Sequence, residues 1–332
     1  MNYGKKGVRA KQKALNSKSQ KWGRKIALTC VKVMLAAIVG VGICGVAAGI
    51  GVFRGILSST PTIRLSDVVA VGEATIVYDK EGNEIDQYVS TNSNRLSVGM
   101  DEIPDYLGKA FVAIEDQRFY QHNGIDVKGI LRAGYQFLKT GGEEAQGAST
   151  ITQQLLKNTV FTDWTSEGDN KIKKIKRKIQ EQYLALEITK YYSKDEILLR
   201  YMNAINLGQN TLGVESASLR YFGKHCSDLT ISECAVIASI TQNPSKYNPI
   251  RHPEENAKRR DTCLNKMLEL GFISQAQYDE AMADTDAVYE RIGLYDIDYQ
   301  EANATTGSYF SDAVYEQVKQ DLILSGYNEA MA

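Results

Sequence analysis

Hydrophobic and polar positions divide this chain into four stretches with different periods. Residues 1–25 are mostly polar and show no apolar run. Val33–Phe53 follows as an uncharged run of 21 residues, with none of the polar interruptions that mark an amphipathic helix. Ala74–Tyr78 and Glu84–Val89 alternate or cluster β-forming residues around Asp79-Lys80-Glu81-Gly82-Asn83, which predicts a hairpin. Beyond residue 99 the period becomes helical: Leu107, Phe111 and Ile114 share one face, which should be buried. Thr150-x-x-Gln153, Ser193-x-x-Glu196, Thr230-x-x-Glu233 and Ser274-x-x-Gln277 each fit a capping box ahead of an apolar-periodic run. Pro253 should open a further helix and Gly271 close it, proline being tolerated first and glycine favoured just past the end. Asp284–Gly307 loses the period and is expected to be loop or linker, whereas Tyr309–Ile323 is helical again.

Charge changes the meaning of the first two stretches. The net charge is −1, yet residues 1–25 hold nine lysines and arginines and no acidic residue. In isolation that tail would suit nucleic acid. Leading into 21 apolar residues, about 30 Å of helix, it instead predicts a membrane anchor. Positive charge stays inside, so the tail should be cytoplasmic and the chain after Arg54 outside, a type II arrangement. A cleaved signal peptide, cut around Ala47-Ala48-Gly49, is the competing reading, although its apolar region is normally about 7–15 residues. Three cysteines, Cys226, Cys234 and Cys263, follow the anchor without CxxC spacing, which argues against a disulfide framework and a zinc site.

The candidate chemistry begins at residues 110–125, Ala-Phe-Val-Ala-Ile-Glu-Asp-Gln-Arg-Phe-Tyr-Gln-His-Asn-Gly-Ile. Glu115 and Asp116 interrupt an apolar, aromatic stretch. On a continuous helix Phe111 and Phe119 would flank Glu115 four residues to either side. A carboxylate between rings loses hydration, which raises its pKa towards that of a general base. The plain alternative is a solvated pair beside a core stripe. Further on, Lys174, Lys178 and Glu181 share a helix face starting near Asn170. The apolar Ile172, Ile175 and Ile179 lie elsewhere, so Arg177 and Lys178 should be removable without disturbing the core. Gly147 to Lys157 places small and hydroxyl side chains at a helix N-terminus, where free N–H groups favour anions.

Taken in order, the 110–125 run, Gly147-Ala-Ser-Thr-Ile-Thr-Gln-Gln-Leu-Leu-Lys-Asn158, Arg177-Lys-Ile-Gln-Glu181, Gly213-Val-Glu215 and Tyr221-Phe-Gly-Lys224 resemble the peptidoglycan glycosyltransferase (family 51) domain. That domain occurs in class A penicillin-binding proteins and monofunctional transglycosylases. The resemblance implies a mainly α, lysozyme-like domain over 94–267. It would follow a basic tail (1–25), an anchor (26–53) and a connector with a β-hairpin (54–93). It implies polymerisation of lipid II into glycan strands, with inversion and release of undecaprenyl diphosphate. Glu115 would be the catalytic base and Glu181 the second catalytic carboxylate. Asp116, Phe119, Ser149, Thr150, Gln154, Lys157, Arg177 and Lys178 would bind substrate, and His122 would shape the site. The implied partners are lipid II, the nascent strand, membrane lipid and other cell-wall synthesis or division proteins, not nucleic acid. No cofactor is required by the sequence, though a divalent cation, Mg or Mn, could help neutralise the diphosphate.

Two departures accompany the resemblance. The family pattern Ile-Leu-Glu-x-Tyr-Leu-Asn is here Ile197-Leu-Leu-Arg-Tyr-Met-Asn203, with Leu199 in place of glutamate. Residues 268–332 are expected to be a helical and linker segment without a transpeptidase domain, since the Ser-x-x-Lys, Ser-x-Asn and Lys-Thr-Gly set is not found. A monofunctional enzyme, a truncated gene and a fragment of a longer protein all fit that segment. Two other functions stay open: a muramidase-like hydrolase using a glutamate in a sugar cleft, and a non-catalytic scaffold that binds lipid II.

Overall fold

A computed structural model describes residues 4–15, 18–64, 68–69, 75–82, 84–88, 95–140, 147–162, 168, 170–209, 211–293 and 309–325. The chain divides into two units, Met1–Pro61 and Thr62–Ala332. The first holds helices α1 (Lys5–Leu15) and α2 (Lys18–Ser58). Within α2, Trp22–Ser58 is long and apolar enough to cross a membrane, and none of its apolar window is buried.

The second unit is mainly helical. Its two short strands, β1 (Thr75–Tyr78) and β2 (Glu84–Tyr88), pair antiparallel. The helices that follow are α3 (Asp105–Glu115), α4 (Val127–Thr140), α5 (Ile151–Thr159), α6 (Lys171–Ile188), α7 (Lys194–Ala204), α8 (Val214–Phe222), α9 (Ile231–Ile240) and α10 (Pro253–Glu269). The last are α11 (Gln275–Ala283), α12 (Thr285–Glu290) and α13 (Tyr309–Leu324). All four predicted capping boxes form, at Thr150, Ser193, Thr230 and Ser274, each pairing the cap hydroxyl with the third backbone N–H. Pro253 occupies the first turn of α10, and Gly271, at φ +70°, ends it. There Phe272 N–H donates to Met267 O and Gly271 N–H to Leu268 O, the paired bonds of a Schellman turn.

α9 is the centre of the core. Ser232 to Ile240 are all buried, as expected of a helix apolar on every side. It packs against α3 and α10, while α5 packs against α6 and α7, and α3 joins the two groups through α7. Leu107 and Phe111 are fully buried and Ile114 nearly so, and the Phe111 ring meets Tyr201 edge-on at 5.7 Å. Leu199, the departure from the family pattern, is partly buried against this core. The segment leading into α3 is fastened here too. Arg95 Nε donates to Asn203 O at 2.8 Å, and the Asn203 amide both donates to Val98 O and accepts from Val98 N–H.

Two expectations change. Asp284–Gly307 contains a helix, α12, held by Arg260 to Thr285 (2.6 Å), by Tyr289 to Asn256 (2.5 Å) and by Arg291, which bridges Asp284 and Glu233. Tertiary hydrogen bonds hold this turn where apolar periodicity gave no sign of it; residues 294–308 lie outside the described residues. The 110–125 run is likewise not one helix. α3 stops at Glu115, Asp116 leaves the helical conformation at φ −154°, and Phe119–Gln121 forms a separate short turn.

Candidate active site

The termination of α3 at Glu115 turns its carboxylate out of the helix into a cleft of about 1540 Å³. That exceeds the roughly 300–1,000 Å³ usual for a drug-sized ligand. Three donors from three different helices or their ends meet this carboxylate. Gln154 Nε2 of α5 reaches Oε2 at 2.8 Å, while Thr241 Oγ1, just past α9, and Arg259 Nη2 of α10 reach Oε1 at 2.6 and 2.9 Å. The donors are themselves held. Tyr201 OH donates to Gln154 Oε1 at 3.1 Å, Arg259 Nε donates to Ser239 O at 3.0 Å, and the Arg259 guanidinium lies 5.1 Å from the Tyr247 ring centre. Burial and the neighbouring Glu115 push the Tyr201 hydroxyl well above its usual pKa, keeping it a donor. The expected aromatic sandwich is therefore absent. Because α3 ends, Phe119 cannot share the helix face of Glu115; it is fully buried against Tyr120 and His122, with Lys194 Nζ 4.4 Å from its ring centre.

The next two residues are structural in their contacts. Asp116 is buried, both its oxygens lie 3.0 Å from His122 Nε2, and Oδ2 accepts from Ile151 N–H at 3.1 Å. Asp116 thus caps the first turn of α5, where free N–H groups favour negative charge. The N-cap Thr150 accepts from Gln153 N–H at 3.2 Å and donates to Gly124 O at 2.7 Å. Gly124, at φ +86°, lies so close to α6 that a Cβ would sit 2.3 Å from Ala185 O. This contact sets the spacing between the base-bearing turn and α6. Nearby, Arg118 pairs with Asp126 across the cleft floor; burial alone would raise the Asp126 pKa, but Arg118 and the Gly129 N–H outweigh it and hold it low.

On α6, Glu181 is fully buried and pairs with Arg177 and, at 2.6 Å, with Lys178. Arg177 is 9% exposed, whereas Ile172 and Ile175 are 79% and 59% exposed, so Arg177 faces inward and these two isoleucines outward, while Lys171, Lys173, Lys174 and Lys176 are exposed. Removing Arg177 would therefore disturb the interior, contrary to the reading of its helix from spacing. Lys178 Nζ also reaches Ser149 Oγ at 3.2 Å, tying α6 to the glycine-rich entry of α5. α4 is similarly outward-facing: Val127, Leu131, Tyr135 and Leu138 are exposed along one stripe, and only Gly129 is buried.

Of the sequence candidates, Glu115, Asp116, Ser149, Thr150, Gln154, Lys157 and Lys178 line the one cleft. Phe119, Arg177 and Glu181 do not line it; Phe119 and Glu181 are wholly buried, and Glu181 serves to hold Arg177 and Lys178. Among the described residues no three His, Cys, Asp or Glu side chains converge as metal ligands. Asp116, Asp126 and Glu181 are each engaged by a protein cation or histidine, so this donor set does not fit a resident metal.

Residues 81–268 match the Transglycosylase family, which is more than half of the chain. The chain belongs to the transglycosylase family. This transglycosylase chain is similar to penicillin-binding protein 1A of Clostridium botulinum (strain Hall), 39% identical over 84% of the chain. It is also similar to penicillin-binding protein 1A of Clostridium perfringens (strain 13), 40% identical over 81%. It spans 33% and 39% of the lengths of those two relatives. A crystal structure of penicillin-binding protein 1A from Haemophilus influenzae aligns with 64% of the transglycosylase chain and 20% of its own, at 22% identity and a TM-score of 0.32.

Tyr201, Thr241 and Arg259 were missed by the sequence reading of the site. Thr241 lies 126 positions from Glu115 and Arg259 lies 144, and no local pattern marks either. The adjacent Arg259-Arg260 pair was the available signal. The two arginines point opposite ways: Arg260 is fully buried towards α12, and Arg259 faces the cleft.

Proposed function

We propose that this chain is a membrane-anchored peptidoglycan glycosyltransferase that polymerises lipid II. The observation that carries the reading is the state of Glu115. A carboxylate has about four acceptor positions. Gln154, Thr241 and Arg259 occupy three, leaving one directed at the cleft for an acceptor hydroxyl. In the proposed step the acceptor sugar's 4-hydroxyl gives its proton to Glu115 as its oxygen bonds to the anomeric carbon of the growing strand. The bond from that carbon to the diphosphate breaks with inversion, and undecaprenyl diphosphate departs with the electron pair. Lys178, with Arg177 behind it, supplies positive charge for the leaving group, and Glu181 fixes both cations. Gln154 and Arg259 hold the base in place, so little reorganisation precedes proton transfer.

The lysozyme-like description, the division at about residues 94 and 267, and the roles of Ser149 and Lys157 along the donor strand belong to the same proposal. A lipid-borne substrate also suits the exposed apolar stripes of α4 and α6, which can lie against a bilayer. A divalent cation is left out of the scheme, because the cleft carboxylates are already engaged.

The test is incubation of the full chain, in detergent, with labelled lipid II. Long glycans are expected, and Glu115→Gln should fold and bind lipid II yet make none, since glutamine cannot take the proton. Polymerisation by folded Glu115→Gln would sink the assignment; shortening of added glycans would indicate a hydrolase, and binding without turnover a scaffold. The tail is proposed to be cytoplasmic and the cleft outside, from the nine basic residues ahead of the apolar helix. A reporter joined after Ala332 should be active only on the outer side, and cytoplasmic activity would refute this orientation.

A further inference from the structure

α12 lies past residue 268, where the match to the transglycosylase family ends, yet its contacts lead back to Glu115. Asn256 and Arg260 are four apart on α10, both fully buried, and share the face that meets α12. Arg260 donates to Thr285 Oγ1 at 2.6 Å. Asn256 has both ends of its side-chain amide engaged. The nitrogen donates to Tyr247 O at 2.8 Å and to Val236 O at 3.3 Å, and the oxygen accepts from Tyr289 OH at 2.5 Å. Burial pushes the Tyr289 hydroxyl above its usual pKa, against a weaker opposite pull from Arg260, so it stays a donor. Tyr247, whose carbonyl Asn256 holds, presents its ring to the Arg259 guanidinium at 5.1 Å. Arg259 in turn donates to Ser239 O and, at 2.9 Å, to Glu115. A contiguous set of contacts thus joins Tyr289 to the carboxylate. Without the Tyr289 hydroxyl, Asn256 Oδ1 would be a buried acceptor lacking its donor. The amide would then gain by turning, and Tyr247 would lose the bond that seats it under Arg259.

We infer that α12 is a working part of the active site, in which Tyr289 is a positioning residue: through Asn256 and Tyr247 it fixes the Arg259 guanidinium, and with it the orientation of the Glu115 carboxylate. This rests on the reading of Glu115 as the base. Gln154, another donor to Glu115, is backed by Tyr201 from within the matched residues, whereas Arg259 is backed from beyond them. The catalytic unit therefore extends as far as Tyr289, although no α12 residue lines the cleft.

The experiment uses the full chain in detergent, with lipid II polymerisation followed across substrate concentration and thermal unfolding of the same samples. Tyr289→Phe keeps the ring and removes the hydroxyl. A base displaced by about 1 Å loses on the order of a hundredfold in rate. Loosening Arg259, with Gln154 and Thr241 still on the carboxylate, should cost about tenfold in kcat and leave KM within about twofold, since the groups that meet substrate are unchanged. Val288→Ala opens a cavity under the same helix, where Val288 is fully buried, and keeps the Tyr289 hydroxyl. It should lower the melting temperature at least as far yet leave kcat within about twofold. In an Arg259→Lys background the guanidinium is already gone, so Tyr289→Phe should have little further effect on kcat, as for residues acting as one unit. Losses of kcat that simply follow melting temperature in both α12 variants would make the helix a plain brace and overturn the inference. Independent, multiplying effects of Tyr289→Phe and Arg259→Lys would overturn it too. A parent that makes no glycan removes the polymerase reading and this inference together, whereas a parent that polymerises no faster than Tyr289→Phe removes the inference alone.

Discussion

Arg177→Ala separates the packing of α6 from its chemistry. Its partner Glu181 has no solvent exposure, and the remaining cation, Lys178, has 41% of its side chain in solvent. Breaking a buried pair from one side typically costs about 3–5 kcal/mol, because the remaining charge stays desolvated. Lys178, 2.6 Å from the second oxygen, still neutralises part of that charge, so the lower end applies, about 3 kcal/mol. For a domain of this size that lowers the melting temperature by about 6–12 °C, at roughly 2–4 °C per kcal/mol. The measurement is thermal unfolding of the anchored protein in detergent, beside lipid II polymerisation by the same samples. Arg177→Ala combined with Glu181→Gln removes the orphaned charge and should recover most of the melting temperature. It should not recover the rate, since losing a positioned cation at the leaving group costs on the order of a hundredfold. A parent-like melting temperature for Arg177→Ala, with no gain from adding Glu181→Gln, would refute the buried-pair argument.

Two further outcomes follow from contacts outside the cleft. Gly124→Ala places a Cβ in a left-handed backbone against Ala185 O, where it would sit at 2.3 Å. It should destabilise by roughly 3 kcal/mol from strain plus overlap and lower polymerisation as α6 is pushed away; an unchanged melting temperature would show that the contact gives way freely. His225 donates to Glu215 at 2.6 Å, and that hydrogen bond raises its pKa above the usual histidine value. A raised folded-state pKa adds stability below about pH 6.5 that disappears as pH rises through the raised value. With 74% of the side chain exposed, screening limits the effect to about 1 kcal/mol or less. His225→Gln should therefore melt lower than the parent near pH 5.5 and match it near pH 9, and a deficit confined to high pH would reverse the assignment.

Much of the fold was legible because its signals are local. The capping boxes at Thr150, Ser193, Thr230 and Ser274 involve hydroxyls and N–H groups three residues apart, so sequence alone specifies them. Gly271 and Pro253 are local in the same sense. Glu115 was legible as a carboxylate out of place in an apolar stretch. Its surroundings were not, because Thr241 and Arg259 arrive from elements joined only by tertiary packing. α12 escaped notice for a related reason: its anchors, Arg260, Asn256 and Glu233, lie on α10 and α9. The aromatic sandwich failed because it assumed that helical spacing continues past Glu115, where Asp116 instead turns to cap α5.

The first half of α6 has a practical corollary for protein engineering. Standard surface redesign treats charged residues as exposed and open to change and leaves isoleucine alone as core; on this helix that recipe picks the wrong residues. Ile172 and Ile175 project into the surroundings and anchor nothing inside, as do Leu131, Tyr135 and Leu138 on α4. Recoding those five positions as polar residues would strip apolar surface from the second unit, with Arg177 and Glu181 left untouched as interior parts.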